Sequence, residues 1–124
     1  AGDFFKADTI PELDPGSAFV LRNILHDWSD EKCVQILTNL ASAMHCDSSR
    51  IMLIELGRSG GRKRSSLERG RTTIDLLMMT MFAGKERTLD EFKHLFRAAG
   101  LKLVAVHRTR SIAQVVEAKL AAAG

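Results

Sequence analysis

Only two cysteines, Cys33 and Cys46, occur in the 124-residue chain, too few and too plainly placed for a disulfide framework or a zinc site. Cys33 falls inside a helical pattern and Cys46 at that helix's end, which reads as two reduced thiols in an intracellular, cytoplasmic protein. The four histidines are scattered and neither cysteine has a near partner, so metal-ligand spacing is missing as well. Long apolar runs are equally scarce. None approaches the roughly 20 residues that span a bilayer, and Ala1 to Lys6 carries neither the charged start nor the apolar stretch of a signal peptide. The chain has no initiator Met, which fits a segment of something longer. No G-x-G-x-x-G follows a strand, and no nucleophile elbow or Ser-His-Asp order stands out.

What is present is the balance of one ordinary globular domain or part of one. Hydrophobic residues at 45% and charged residues at 27% set disorder aside. The net charge of +3 owes much to one stretch, Arg58 to Arg71, a local feature rather than a nucleic-acid footprint over a whole face.

The run Ser17 to Leu25 follows the turn signal Asp14-Pro15-Gly16, and its near-continuous apolar start predicts a strand buried on both faces. His26-Asp27-Trp28 then reads as a loop. Ser29 is a suitable N-cap, with Asp30 and Glu31 favourably placed in the first turn of a helix reaching about Met44. Arg50 to Leu56 predicts a second buried strand. Residues 57 to 71 read as a flexible basic loop, and Ile74 to Phe82 as a deeply buried helix or a pocket wall. Thr88 and Glu91 form a capping box for a helix that stops at Gly100. Leu101 to His107 and Ile112 to Leu120 read as two closing strands.

Strands alternating with helices imply an α/β fold with a parallel sheet, and the short last connection makes the final strand pair antiparallel. The first strand is then an exposed, hydrophobic edge, which suggests that something is missing upstream. In such sheets ligands bind at the carboxyl ends of the strands. His26 follows the first strand and Glu55 lies at the end of the second, so parallel pairing brings them to one edge. A histidine held by a carboxylate is a standard general base. On position alone, the pair reads equally as a base with its orienting acid or as a strand cap beside a solvated glutamate. Glu86, in the loop after the apolar helix, is a candidate second carboxylate.

Leu21 to Glu31, with its His26-Asp27-Trp28 core, closely resembles a segment of the plant and fungal small-molecule O-methyltransferases of the caffeic acid and flavonoid type. Gly2-Asp3-Phe4-Phe5, Ile54-Glu55, Asp75 to Met79 and Gly84-Lys85-Glu86-Arg87-Thr88 match in the same order. The resemblance covers essentially the whole chain, 1–124, as a partial catalytic domain in the C-terminal half of a Rossmann-like methyltransferase fold. It implies S-adenosyl-L-methionine as cofactor and His26 as the base that deprotonates a small aromatic hydroxyl. It also implies that Glu55 and Glu86 bracket that histidine, with no metal. Asp3 and Phe4 match cofactor-contacting positions, and Arg22 stands where a cofactor-contacting Lys is frequent. Asp27 and Trp28 share the histidine's loop and match the acceptor side, with Trp28 packing near the cofactor. Met78, Met79 and Phe82 match acceptor-pocket positions.

The resemblance further implies a homodimer for the full-length protein, without nucleic-acid or membrane partners. The chain departs from the family in lacking its glycine-rich cofactor loop, its first sheet strands and its N-terminal dimerisation region. The alternative to an enzyme is therefore a non-catalytic module of the same fold. Read without the family, at least one of Met78, Met79 and Met81 belongs to the core, Trp28 is a plug over the following helix, and Arg22 reaches the sheet edge. His107 has no evident acidic partner.

Overall fold

The computed structural model describes residues 2–56, 87–109 and 113–122. Among them four strands form one mixed sheet: β1 (Ala18–Arg22), β2 (Arg50–Leu56), β3 (Leu101–Arg108) and β4 (Ala113–Leu120). Helix α1 (Asp30–Ser42) connects β1 to β2, and helix α2 (Leu89–Ala98) leads into β3. The spatial order is β1-β2-β4-β3, with β1 and β2 parallel and both other pairings antiparallel. The closing hairpin thus folds back so that its second strand, β4, lies against β2.

The alternation of burial along β2 shows why the sheet has one core face. Ile51, Leu53 and Glu55 are buried while Met52 and Ile54 are half-buried. Ile51 and Leu53 join Leu21, Val116 and Ala118 against Cys33, Ile36, Leu37 and Leu40 of α1 and Phe92, Leu95 and Phe96 of α2. Burying a side chain of this size contributes roughly 1.5–3 kcal/mol.

Both helices begin where their local chemistry dictates. The Ser29 hydroxyl accepts the Lys32 amide, and Asp30 and Glu31 sit in the first turn of α1. Thr88 accepts the amide of Glu91 while the Glu91 carboxylate accepts that of Thr88, the complete reciprocal cap. Helix α2 gives way to β3 through Gly100 at φ +77°, a left-handed position that a side chain would strain.

The predicted first strand is too long. It ends at Arg22 because Asn23 turns the chain at φ 54°, and Leu25–Asp27 form a 3-10 turn. Ile24 and Leu25 owe their apolar character to packing of that turn onto the core. The edge position of β1 is as expected, and Val20 on it is 63% exposed. The basic stretch 57 to 71 and the apolar helix predicted over Ile74 to Phe82 lie outside the described residues. Within the described ones, no helix is long and apolar enough to cross a membrane.

Candidate active site

Three local features bring His26 to Glu55. Asn tolerates the left-handed conformation better than other side-chain-bearing residues, and the Asn23 amide donates to Ile54 O of β2 at 2.9 Å. The chain therefore turns directly over the end of β2. The following turn is closed by the amides of Asp27 and Trp28 donating to Ile24 O and Leu25 O. Leu25 is fully buried and pins it to the core. Glu55, on the same sheet face as Leu53, then meets the turn from below. Its Oε1 accepts the Leu25 amide at 2.9 Å, and its Oε2 lies 3.2 Å from His26 Nδ1. One carboxylate holds both the turn and the ring.

Glu55 is only 2% exposed, and this burial pushes its carboxyl above the usual carboxylate range. The charges of His26 and Arg87 and the amides of Leu25 and His26 pull the other way. The second ring nitrogen, Nε2, lies 3.1 Å from Asp27 Oδ1. Asp27's side chain is 39% exposed, against 3% for Glu55. The imidazole thus stands between a buried carboxylate that fixes it and a solvated one at its outer nitrogen. Its own side chain, at 13% exposure, is sheltered but reachable.

A residue that the sequence reading passed over lies behind the turn. Arg87, 1% exposed, donates from Nη1 to Leu25 O at 2.9 Å and from Nη2 to Trp28 O at 2.8 Å. Its Nε and Nη2 also reach Asp30 Oδ1 at 3.1 and 3.0 Å. The buried Cys33 thiol donates to the same Leu25 carbonyl at 3.2 Å. The available signal was an arginine directly before a capping box, a place where the chain direction is fixed.

Of the residues the resemblance ties to the cofactor, Phe4 joins an aromatic corner beside the histidine's turn. Phe5 meets Trp28 edge-on at 4.8 Å between centroids and Phe4 at 5.0 Å, and Lys32 Nζ stands 5.4 Å from the Phe5 centroid. Asn39 of α1 donates to Phe4 O, which ties this segment to the helix. The Asp3 Oδ1 accepts the Phe5 amide at 2.9 Å, and Thr9 Oγ1 bonds both the amide and the carbonyl of Asp3. A side chain at Gly2 would run into Thr9 O at 2.5 Å, so this turn requires glycine there. Trp28, read without the family as a plug, is one wall of this corner. Arg22 is exposed at the end of the edge strand. Glu86, Met78, Met79 and Phe82 lie outside the described residues. No group of His, Cys, Asp and Glu among the described residues is suited to hold a metal ion.

Comparison with known proteins settles the family. The model of the O-methyltransferase domain matches residues 1–102. The chain belongs to the O-methyltransferase domain family. As an O-methyltransferase domain it is 31% identical over 117 residues to tabersonine 16-O-methyltransferase of Catharanthus roseus, covering 91% of this chain and 33% of that protein. It is 41% identical over 102 residues to O-methyltransferase pgmB of Aspergillus terreus, covering 79% and 23%. The chain spans about a third of the length of the curated relatives it matches first. Among solved structures it resembles CalO1, a methyltransferase in calicheamicin biosynthesis in its SAH bound form, with TM-score 0.80, 32% identity, and coverage of 97% of this chain and 33% of that one. It also resembles NcsB1, an O-methyltransferase from neocarzinostatin biosynthesis in complex with S-adenosylmethionine and 2-hydroxy-5-methyl naphthoic acid. There the TM-score is 0.74 and identity 33%, covering 97% and 32%. The mixed α/β sheet of this O-methyltransferase domain is Rossmann-like.

Proposed function

We propose that this chain forms the catalytic part of an enzyme that transfers a methyl group from S-adenosyl-L-methionine to a hydroxyl of a small aromatic metabolite. His26 is the general base. The observation that carries this reading is the His26–Glu55 pair: Glu55 is buried and anchored on the Leu25 amide, 3.2 Å from Nδ1. A carboxylate on Nδ1 fixes the tautomer that leaves Nε2 as the base, and it stabilises the imidazolium that forms. When bound, the cofactor supplies an electrophilic methyl on its sulfonium. Asp3, Phe4, Trp28 and Arg22 would hold it. His26 Nε2 then takes the acceptor's proton, and Asp27, whose Oδ1 lies 3.1 Å from that nitrogen, contacts the acceptor. Glu86 is the second carboxylate around the histidine, and Met78, Met79 and Phe82 line the acceptor pocket. Barrier lowering comes chiefly from holding oxygen, methyl and sulfur in line. The setting is cytoplasmic, and the longer enzyme is a homodimer with neither nucleic acid nor membrane as partner.

A second reading is a non-catalytic fragment or interaction module of the same fold, inactive by itself, since the chain spans about a third of the length of its relatives. Calorimetric titration of the chain with S-adenosylhomocysteine separates the two. Micromolar binding is the expected result for a catalytic part. The absence of binding supports the module reading.

A further inference from the structure

We propose that Arg87 is a positioning residue for His26, its guanidinium clamping the two ends of the turn that carries the imidazole. The proposal deepens the reading of His26 as a base and rests on it. The carbonyls that Arg87 grips, Leu25 O and Trp28 O, bracket His26 and Asp27 in sequence. They also belong to the turn that the Trp28 amide closes on Leu25. The same guanidinium reaches Asp30 in the first turn of α1, so a single planar group joins the turn to the start of the helix. Its own backbone is fixed from the other side, because Thr88 opens α2 with a complete capping box. The restraint therefore runs from the capped end of α2, through Arg87, to the turn, and thence to His26.

Burial makes the assignment specific. A guanidinium that is 1% exposed is costly to leave without partners. Arg87 spends donors on two backbone carbonyls rather than on a carboxylate alone. A lysine offers one compact ammonium and does not span two carbonyls and Asp30 in one plane. Glu55 holds the ring from beneath while Arg87 holds the backbone from behind. Without Arg87, the carbonyls of Leu25 and Trp28 keep only the weaker Cys33 thiol among these side-chain donors, at 3.2 and 3.6 Å, and the ring's place against Glu55 is held less firmly. The positive charge also favours the ionised Glu55 that faces Nδ1.

The test is nitrogen NMR of the 124-residue chain with labelled histidine, read at a mildly alkaline pH where the tautomer of the neutral ring is resolved. With Glu55 at Nδ1, the wild type is expected to carry the His26 proton there. Arg87→Ala is expected to give a mixture of tautomers, and millimolar methylguanidinium to restore the wild-type signals where methylammonium does not. Should Arg87→Ala fail to fold, Arg87→Lys serves for the same reading, since it keeps the stem and the charge but not the fork, and mixed tautomers are again expected. Wild-type His26 signals in either folded variant overturn the proposal, as does a mixture that both amines restore equally. This readout does not depend on methyl transfer. An unchanged rate of methyl transfer in a His26→Ala variant of the longer enzyme, with the tautomer change still seen in Arg87→Ala, would remove the base reading and leave the clamp standing.

Discussion

Among the described residues, His26–Glu55 and His107–Glu117 are pairs of similar length whose glutamates stand on adjacent strands, and they differ in almost everything else. His26 Nδ1 lies 3.2 Å from Glu55 on β2, and His107 Nε2 lies 2.9 Å from Glu117 on β4. Glu55 faces the core, where burial pushes its carboxyl upward. Glu117 faces the opposite side of the sheet, with His107 54% exposed. There the hydrogen bonds from His107 and Arg50 hold its carboxyl below the usual range. Distance alone does not distinguish a base from a surface pair. What distinguishes the two pairs is that one acid is anchored by a backbone amide and shut off from water while the other faces a solvated ring.

The largest difference between the pairs should appear in turnover. On an active preparation, His26→Ala is expected to lower kcat for methyl transfer to phenols by roughly 10²–10⁴, the usual worth of a general base. S-adenosylhomocysteine affinity by calorimetry should stay near wild type. Joint collapse of affinity and rate would make His26 a structural residue. His107→Ala in the same assay should leave kcat unchanged.

Next comes Glu55→Gln, with turnover reduced by roughly tenfold, less than for the histidine, because Gln still accepts the Leu25 amide but no longer balances an imidazolium. Its effect on stability has a definite sign. A carboxyl whose folded value lies above 4.5 binds its proton more tightly in the native state, so wild-type stability falls as pH rises through that window. Thermal melts should show the stability of Glu55→Gln relative to wild type improving from about pH 4.5 upward. A flat or shrinking difference would mean that burial does not dominate at Glu55.

The smallest effect belongs to Glu117→Gln, a loss within about 1 kcal/mol, as for an exposed pair. Its pH dependence should run the other way. The folded value is depressed, so the pair's contribution is present above the unfolded value and fades as pH falls through the folded one. Melts of the two variants across the same acidic range should therefore diverge in opposite senses.

Much of this was legible in the residues. The bounds of β2, the Ser29 cap and the Thr88–Glu91 box were readable because each rests on local chemistry. The end of β1 was not, since Ile24 and Leu25 continue an apolar run whose burial comes from a turn. Position alone placed His26 and Glu55 at one sheet edge but left open whether the glutamate was solvated. Only the third dimension, which stacks it beside Leu53 under the turn, decides that. His107 seemed to lack an acid because Glu117 is its diagonal rather than its direct partner: the register sets His107 opposite Val115. Arg87 was quoted as part of a motif and still missed, because its partners are backbone carbonyls some 60 positions away, which no side-chain pattern displays.

The outer side of β1 carries a consequence for anyone handling this chain. Among the described residues the strand pairs only with β2, and Val20 stands 63% exposed on it. A row of backbone amides and carbonyls along such a border is a ready template for another strand. Any self-association through it would add a mass-action contribution to the melting midpoint. Stability comparisons between variants therefore belong at one fixed, low protein concentration.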